Sequence, residues 1–265
     1  MAQDLTLRGR LAVVTGASAG IGLAITRDLV ARGASCVINA RRESVLADLA
    51  RELGDEGVRA VPGDCADPGV IDAMLDAARE VSGHPPREAD LVVVNAGRGL
   101  RGSVLDSDTA QWAEVLRTNV LGAALMLRAA ANRMLADIAA RAPADRAPGR
   151  PRDIVVLGST VGRHVSPFSS MYGATKFAVH GMVEAARREL GPGGIRLTLV
   201  EPGFVESEFQ GVAGYDPAWF AQVKARIGPV LAPPDVARLV SFIAAQPPHV
   251  HVNDVVIRPT RQDYP

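Results

Sequence analysis

Cysteine is scarce in this chain of 265 residues: only Cys36 and Cys65 occur, each alone in an apolar or turn segment. Two isolated thiols exclude a disulfide framework and a cysteine-built metal site, and they suit a reducing compartment. An excess of charge of either sign is also missing. Lysine and arginine together number 29, against 29 aspartates and glutamates, so no basic field recommends nucleic acid and no polybasic patch recommends an anionic membrane. No apolar run reaches the ~18 residues of a membrane span, and the first ten residues hold no apolar segment of the export-signal kind. The five histidines form no metal-ligand set: His249 and His251 flank Val250 late in the chain and read as exposed loop residues. The expectation is a soluble, cytoplasmic protein with no metal, no nucleic-acid partner and no membrane.

What is present is an alternation of short β-branched runs with longer helical stretches. Residues 11–15, 35–39, 58–62, 90–94, 154–157 and 197–200 read as strands, with a seventh at 255–257. Helical patterns lie near 20–32, 43–53, 69–82, 108–140, 170–190 and 233–245. Strands that are apolar on every residue have both faces covered, as in a parallel sheet, and the alternation predicts a doubly wound α/β fold. A hydrophobic content of 48% supplies its core, and the whole of 1–265 reads as one domain. Two stretches break the rhythm. The Ala/Arg/Pro-rich segment 139–152 reads as a surface insertion. Residues 204–230, with Phe209, Tyr215, Trp219 and Phe220, follow a strand and read either as a substrate lid or as a helical excursion packed on the core.

Two local patterns carry chemistry. Tyr172 and Lys176 stand four residues apart in Ser170-Met-Tyr-Gly-Ala-Thr-Lys176, so on a helix they share a face. A cation ~4 Å away in a partly screened site is worth roughly 4 kcal/mol, and one pKa unit is about 1.36 kcal/mol. The lysine is therefore expected to lower the phenol by as much as ~3 units before desolvation is counted, giving a general acid/base. The first strand runs straight into Thr15-Gly-Ala-Ser-Ala-Gly-Ile-Gly22 and then a helix. Glycines allow a tight turn and close approach to a diphosphate, whose charge suits the free N–H groups of the helix start.

Thr15-Gly-x-x-x-Gly-x-Gly22, Asn95-Ala-Gly97, Asn119, Ser159 and Tyr172-x-x-x-Lys176, in this order and spacing, resemble the short-chain dehydrogenase/reductase family from about residue 8 to residue 258. The resemblance implies a Rossmann-like fold and an oxidoreductase acting on a CH–OH/C=O group. It implies that Tyr172 passes a proton to or from the substrate oxygen, that Lys176 lowers its pKa and holds the nicotinamide ribose, and that Ser159 polarises the carbonyl. Asn119 would hold a water linking Lys176 to solvent. Cofactor contacts are implied for Gly16, Ser18, Gly20, Ile21, Gly22, Asp64, Cys65 (through its backbone), Asn95, Ala96, Gly97, Tyr172, Lys176, Pro202, Gly203, Val205 and Ser207. On the residues alone other roles remain open: a turn-forming hydroxyl for Ser159, a local cap for Asn119, a turn for Gly97, a surface position for His164.

The end of the second strand bears on the cofactor. Where enzymes that use NAD usually place a carboxylate for the ribose 2′-hydroxyl, this chain has Ala40, followed by Arg41 and Arg42. Guanidinium groups suit a 2′-phosphate, so NADPH/NADP+ is the expected cofactor; Ala19, where a basic residue often stands in such relatives, is a departure. The expected activity is NADPH-dependent reduction of a ketone or aldehyde. A 3-oxoacyl thioester reductase, drawing on Arg98, Arg101, Arg163 and His164 near the pocket, and a non-catalytic dinucleotide-binding regulator are the alternatives. The resemblance also implies self-association as a homotetramer or homodimer.

Overall fold

Along β1 (Leu11–Thr15) consecutive side chains point to opposite faces of the sheet, and both faces are apolar. Leu11 and Val13 join one buried cluster while Ala12 and Val14 join another. The same division holds for the other central strands, which is why their sequences read as unbroken hydrophobic runs. The computed structural model describes residues 6–81, 85–140 and 151–263. Within it β1, β2 (Ser35–Ala40), β3 (Val58–Pro62), β4 (Leu91–Val94), β5 (Arg152–Leu157), β6 (Ile195–Pro202) and β7 (Asp254–Ile257) form one seven-stranded sheet in the order β3-β2-β1-β4-β5-β6-β7. Every pairing is parallel.

Helices cover both faces. On one side α1 (Gly20–Ala31), α2 (Glu43–Leu53) and α9 (Pro233–Ala244) bury Ile25, Leu29, Leu46, Val236 and Val240 against Val14, Ile38 and Val155. On the other, α3 (Pro68–Arg79), α5 (Ala123–Ala139) and α6 (Ser170–Leu190) bury Met74, Met126, Met134 and Val183 against Val13, Val92 and Ile154. The expected fold class and its seven strands are therefore observed. The segment predicted as one helix over 108–140 is divided: a single 3-10 turn, then α4 (Trp112–Leu116), a π-helical stretch at Arg117–Gly122, and α5. The segment 204–230 contains α7 (Phe209–Ala213) and α8 (Pro217–Ile227). Most of the expected insertion, residues 141–150, lies outside the described residues.

The N-terminal ends of the central strands are tied by buried charge. Arg10 donates from Nε to Asp90 Oδ1 at 2.7 Å and from Nη2 to Asp153 Oδ2 at 2.7 Å, while Arg196 Nε reaches Asp153 Oδ1 at 2.6 Å. Arg10 Nη1 also donates to Ala244 O at 2.7 Å, which anchors α9. This network lies at the end of the sheet opposite the cleft described next.

Candidate active site

The strand order reverses between β1 and β4, and above their C-terminal ends a cleft of about 840 Å³ opens. In doubly wound sheets this switch point is where ligands bind. Thr15, the last residue of β1, accepts N–H donation from both Asn95 and Ala96 on its Oγ1, at 3.0 Å each. Asn95 in return donates from Nδ2 to Thr15 O at 2.9 Å. The two loops at the switch point are thus fastened to each other. Gly16 and Gly20 have φ of +69° and +53°, which only glycine adopts without strain. A Cβ on Gly22 would collide with the carbonyl of Gly16, so that glycine serves the packing of α1 over the turn. The first turn of α1 has no side-chain cap and no acidic residue. Its free N–H groups and positive dipole end therefore face the cleft uncompensated, which fits a diphosphate.

On one side of this turn stand Arg41 and Arg42, after a buried Ala40. Arg42 reaches back over the glycine turn, donating to Ser18 O at 3.0 Å and pairing with Glu208 at 3.2 Å; Arg41 pairs with Glu114 at 3.2 Å. Both guanidinium groups remain well exposed to solvent. Asp64 accepts from Ala66 N at 2.9 Å and from Arg117 at 2.8 Å, and these bonds hold its carboxyl below the usual carboxylate range although burial opposes them.

Beyond β5 Ser159, Tyr172 and Lys176 gather. Ser159 caps a short 3-10 turn, its Oγ accepting from Val161 N at 3.4 Å. Tyr172 and Lys176 lie on the first two turns of α6, both buried, with Nζ 5.8 Å from the phenol ring centre. Lys176 Nζ donates to Leu157 O at 2.7 Å, leaving two further N–H donors on the ammonium. Burial pushes Lys176 down to about 8. Burial also raises Tyr172 above its ordinary value, against a hydrogen bond with Ser159 that lowers it. The sequence-based expectation of a phenol lowered by its lysine is therefore corrected for the ligand-free protein: desolvation of the phenolate, with the neighbouring Tyr215, outweighs the hydrogen bond with Ser159.

The pattern match now has geometry behind it. Residues 10–216 match the short chain dehydrogenase family. The chain belongs to that family. An uncharacterized oxidoreductase of Staphylococcus aureus is 30% identical over 253 residues, which cover 96% of this chain and 98% of the relative. Among solved structures, a serine dehydrogenase complexed with NADP+ superimposes with a TM-score of 0.82 at 28% identity, covering 96% of each chain. A 3-ketoacyl-(acyl-carrier-protein) reductase from Brucella melitensis complexed with NADH does so with a TM-score of 0.82 at 25% identity, over 97% of this chain and 99% of that one. The chain is an oxidoreductase of the short-chain dehydrogenase family.

Eighteen sequence-predicted site residues of this short-chain dehydrogenase line one cleft: Gly16, Ser18, Gly20, Ile21, Arg41, Arg42, Asp64, Cys65, Asn95, Ala96, Gly97, Ser159, Tyr172, Lys176, Pro202, Gly203, Val205 and Ser207. Gly22 and Asn119 do not line it. Asn119 is buried within the π-helical stretch, a departure from α-helix often found at functional sites. Its Oδ1 accepts from Arg98 N at 2.8 Å, and its Nδ2 donates to Arg98 O at 2.9 Å and to Thr175 Oγ1 at 3.0 Å. Both amide donors are thus engaged in fastening the loop after β4 to α6. Residues 204–230 form the outer wall: Tyr215 stacks on Trp219 at 5.3 Å, Phe204 lies 6.3 Å from Trp219, and Phe209 packs on Tyr172 at 5.5 Å.

Sequence reasoning missed Thr175, Thr15 as a side-chain acceptor, and His180, which sits one helical turn beyond Lys176; it placed Arg98 near the pocket but not as the backbone partner of Asn119. The i+4 step from Lys176 was the one available signal for His180. His251 is not an exposed loop residue: it is half-buried, with Nε2 3.0 Å from Leu197 O. His164 is exposed.

Proposed function

We propose that this oxidoreductase reduces a ketone or aldehyde to an alcohol with NADPH, in one dinucleotide-binding unit. The observation that carries the reading is the convergence of Ser159, Tyr172 and Lys176 on the cleft that the uncapped start of α1 also faces. The nicotinamide cofactor supplies a hydride when bound. Gly16, Ser18, Gly20 and Ile21 would hold its diphosphate; Arg41 and Arg42, in place of an acid, would hold a 2′-phosphate. Asp64, Cys65, Asn95, Ala96 and Gly97 would line the adenosine side, and Pro202, Gly203, Val205 and Ser207 the nicotinamide side.

Ser159 Oγ–H donates to the carbonyl oxygen and polarises it; Tyr172 gives that oxygen its proton as the alkoxide forms. A phenol raised by burial stays protonated at neutral pH, which is the form an acid catalyst of reduction needs. Lys176 steadies the phenolate left behind and directs its remaining donors to the ribose. Asn119, with both side-chain donors taken, holds the loop after β4 and offers only oxygen lone pairs to a relay water. The aromatic outer wall favours a carbonyl substrate with apolar bulk. Of the four residues offered to an acidic carrier, Arg163 is tied to Glu201 and Arg98 to Gln111, while Arg101 and His164 are exposed, so a thioester substrate stays the alternative. Self-association as a homodimer or homotetramer is supported by Leu116, Leu121 and Phe177, which are exposed on α4, the π-helical stretch and α6. Among the described residues no helix is long and apolar enough to cross a membrane.

The test is titration with NADPH and NADH by calorimetry, followed by turnover of a panel of ketones and aldehydes. Arg41→Ala combined with Arg42→Ala weakens NADPH binding by about tenfold to a few hundredfold, at roughly 1.5–3 kcal/mol for charged hydrogen bonds, and leaves NADH binding unchanged. An equal loss for both cofactors removes the 2′-phosphate assignment. A second expectation concerns pH. Lys176, lowered to about 8 by burial, is charged below that value and neutral above it, so kcat/KM for NADPH in the reductive direction falls as pH rises through about 8. Lys176→Arg, charged at every accessible pH, lowers the rate but removes that fall; a fall that persists assigns it to another group.

A further inference from the structure

Three side chains on one face of α6, at i, i+4 and i+8, meet the end of β5: Tyr172, Lys176 and His180. Two of them grip the backbone on either side of Gly158. Lys176 Nζ donates to Leu157 O at 2.7 Å, and His180 Nε2 lies 3.5 Å from Ser159 N, placed to accept its N–H at the long end of hydrogen-bond range. The imidazole is wedged under the Ser159 turn. A Cβ on Gly158 would stand 2.6 Å from Nε2, and one on Gly162 would collide with the ring. The turn's far end is held as well. Arg163, the residue that closes it, donates from Nε and Nη2 to the two oxygens of Glu201 at 2.5 and 2.7 Å, and also pairs with Asp254 on β7.

Glu201 is fully buried on β6, directly before Pro202-Gly203, and its Oε2 lies 3.6 Å from His180 Nδ1. That distance is too long for a direct hydrogen bond. Burial pushes the Glu201 carboxyl up to about 7 against its bonds from Arg163; in its ionised form it favours the tautomer with the proton on Nδ1 and a lone pair on Nε2. A chain of contacts therefore runs from Ser159 past His180 and Glu201 to Arg163 and back along the turn. We infer that His180 is a positioning residue, which with Glu201 and Arg163 sets the place of the Ser159 hydroxyl relative to the Tyr172 phenol. The charged groups facing the ring are Lys176 from its own helix, Arg163 from the turn, Glu201 from β6 and Asp254 from β7. Burial first, then Lys176 and Arg163, push His180 down to about 4, so the neutral acceptor form persists across the working range.

This inference rests on the proposed role of Ser159, and its test has an arm that does not. Backbone amide hydrogen exchange on the cofactor-free protein reads the turn itself: in His180→Leu, exchange at residues 159–163 accelerates while α6 and β5 stay protected, and His180→Gln, which restores an acceptor near the Nε2 position, recovers the protection. Unchanged exchange in His180→Leu overturns the inference, as does equal acceleration across α6. The kinetic arm uses NADPH and 4-nitrobenzaldehyde. His180→Leu lowers kcat by about 10²-fold, as for a catalytic group displaced by an ångström, with the NADPH dissociation constant unchanged. In a Ser159→Ala background the same substitution costs less than about twofold, because the positioned group is already gone. An equal loss in both backgrounds marks a structural role only and overturns the inference. Absence of turnover by the wild type across the carbonyl panel instead overturns the function proposed above, and the exchange arm then decides the positioning by itself.

Discussion

Replacing Tyr172 by Phe lowers the rate of carbonyl reduction by about 10²–10⁴-fold, the range for removal of a general acid, and leaves NADPH affinity largely intact. The substitution removes one oxygen from a buried ring that packs against Phe209 at 5.5 Å, so the shape of the cleft is preserved. The phenol's partner, Ser159, keeps its bond from Val161 N at 3.4 Å, and no buried group is left unpaired. What is lost is the proton that must reach the substrate oxygen as negative charge develops there. Pre-steady-state mixing of the NADPH complex with substrate separates this from a binding defect, because hydride transfer itself slows. A variant whose single-turnover rate matches the wild type sinks the acid assignment, whatever its KM.

Asp153→Ala destabilises the protein without touching the cleft. Asp153 is buried at the foot of β5 and is shared by two arginines: Arg10 at 2.7 Å, and Arg196 at 2.6 and 2.8 Å. Removing it leaves two buried guanidinium groups with Asp90 as the nearby carboxylate. The cost of breaking a buried pair is about 3–5 kcal/mol, and at roughly 2–4 °C per kcal/mol for a chain of this size the thermal midpoint falls by about 10 °C. Asp153→Asn, which keeps a hydrogen-bond acceptor, falls between. The measurement is thermal unfolding followed by circular dichroism, with NADPH affinity determined below the transition. A midpoint within about 2 °C of the wild type, less than ~1 kcal/mol, shows that the network is replaceable.

The order of elements was legible because each central strand had to bury both faces and each helix one. A hydrophobic pattern of that kind survives in the linear sequence. The predicted helical run over 108–140 is observed from Thr109 to Ala139, but periodicity sees Leu116, Val120 and Ala123 as one helical face and cannot see the wider π-helical turn at Arg117–Gly122. That π-helical stretch is where Asn119 can bond Arg98, and bonds between side chain and loop leave no periodic trace.

Spacing within a segment determined the pairing of Tyr172 with Lys176 and the glycine turn before α1, because a helix or a strand-turn-helix unit converts sequence intervals directly into geometry. Only packing decided what stands next to them. His180 meets Gly158, Arg163 meets Glu201, and Thr15 meets Asn95, across separations of 22, 38 and 80 residues along the chain. The direction of the Tyr172 shift was decided there too. A lysine four residues away can be counted in the sequence, but the water excluded by α6, β5 and residues 204–230 cannot, and in the ligand-free protein that exclusion sets the direction of the shift.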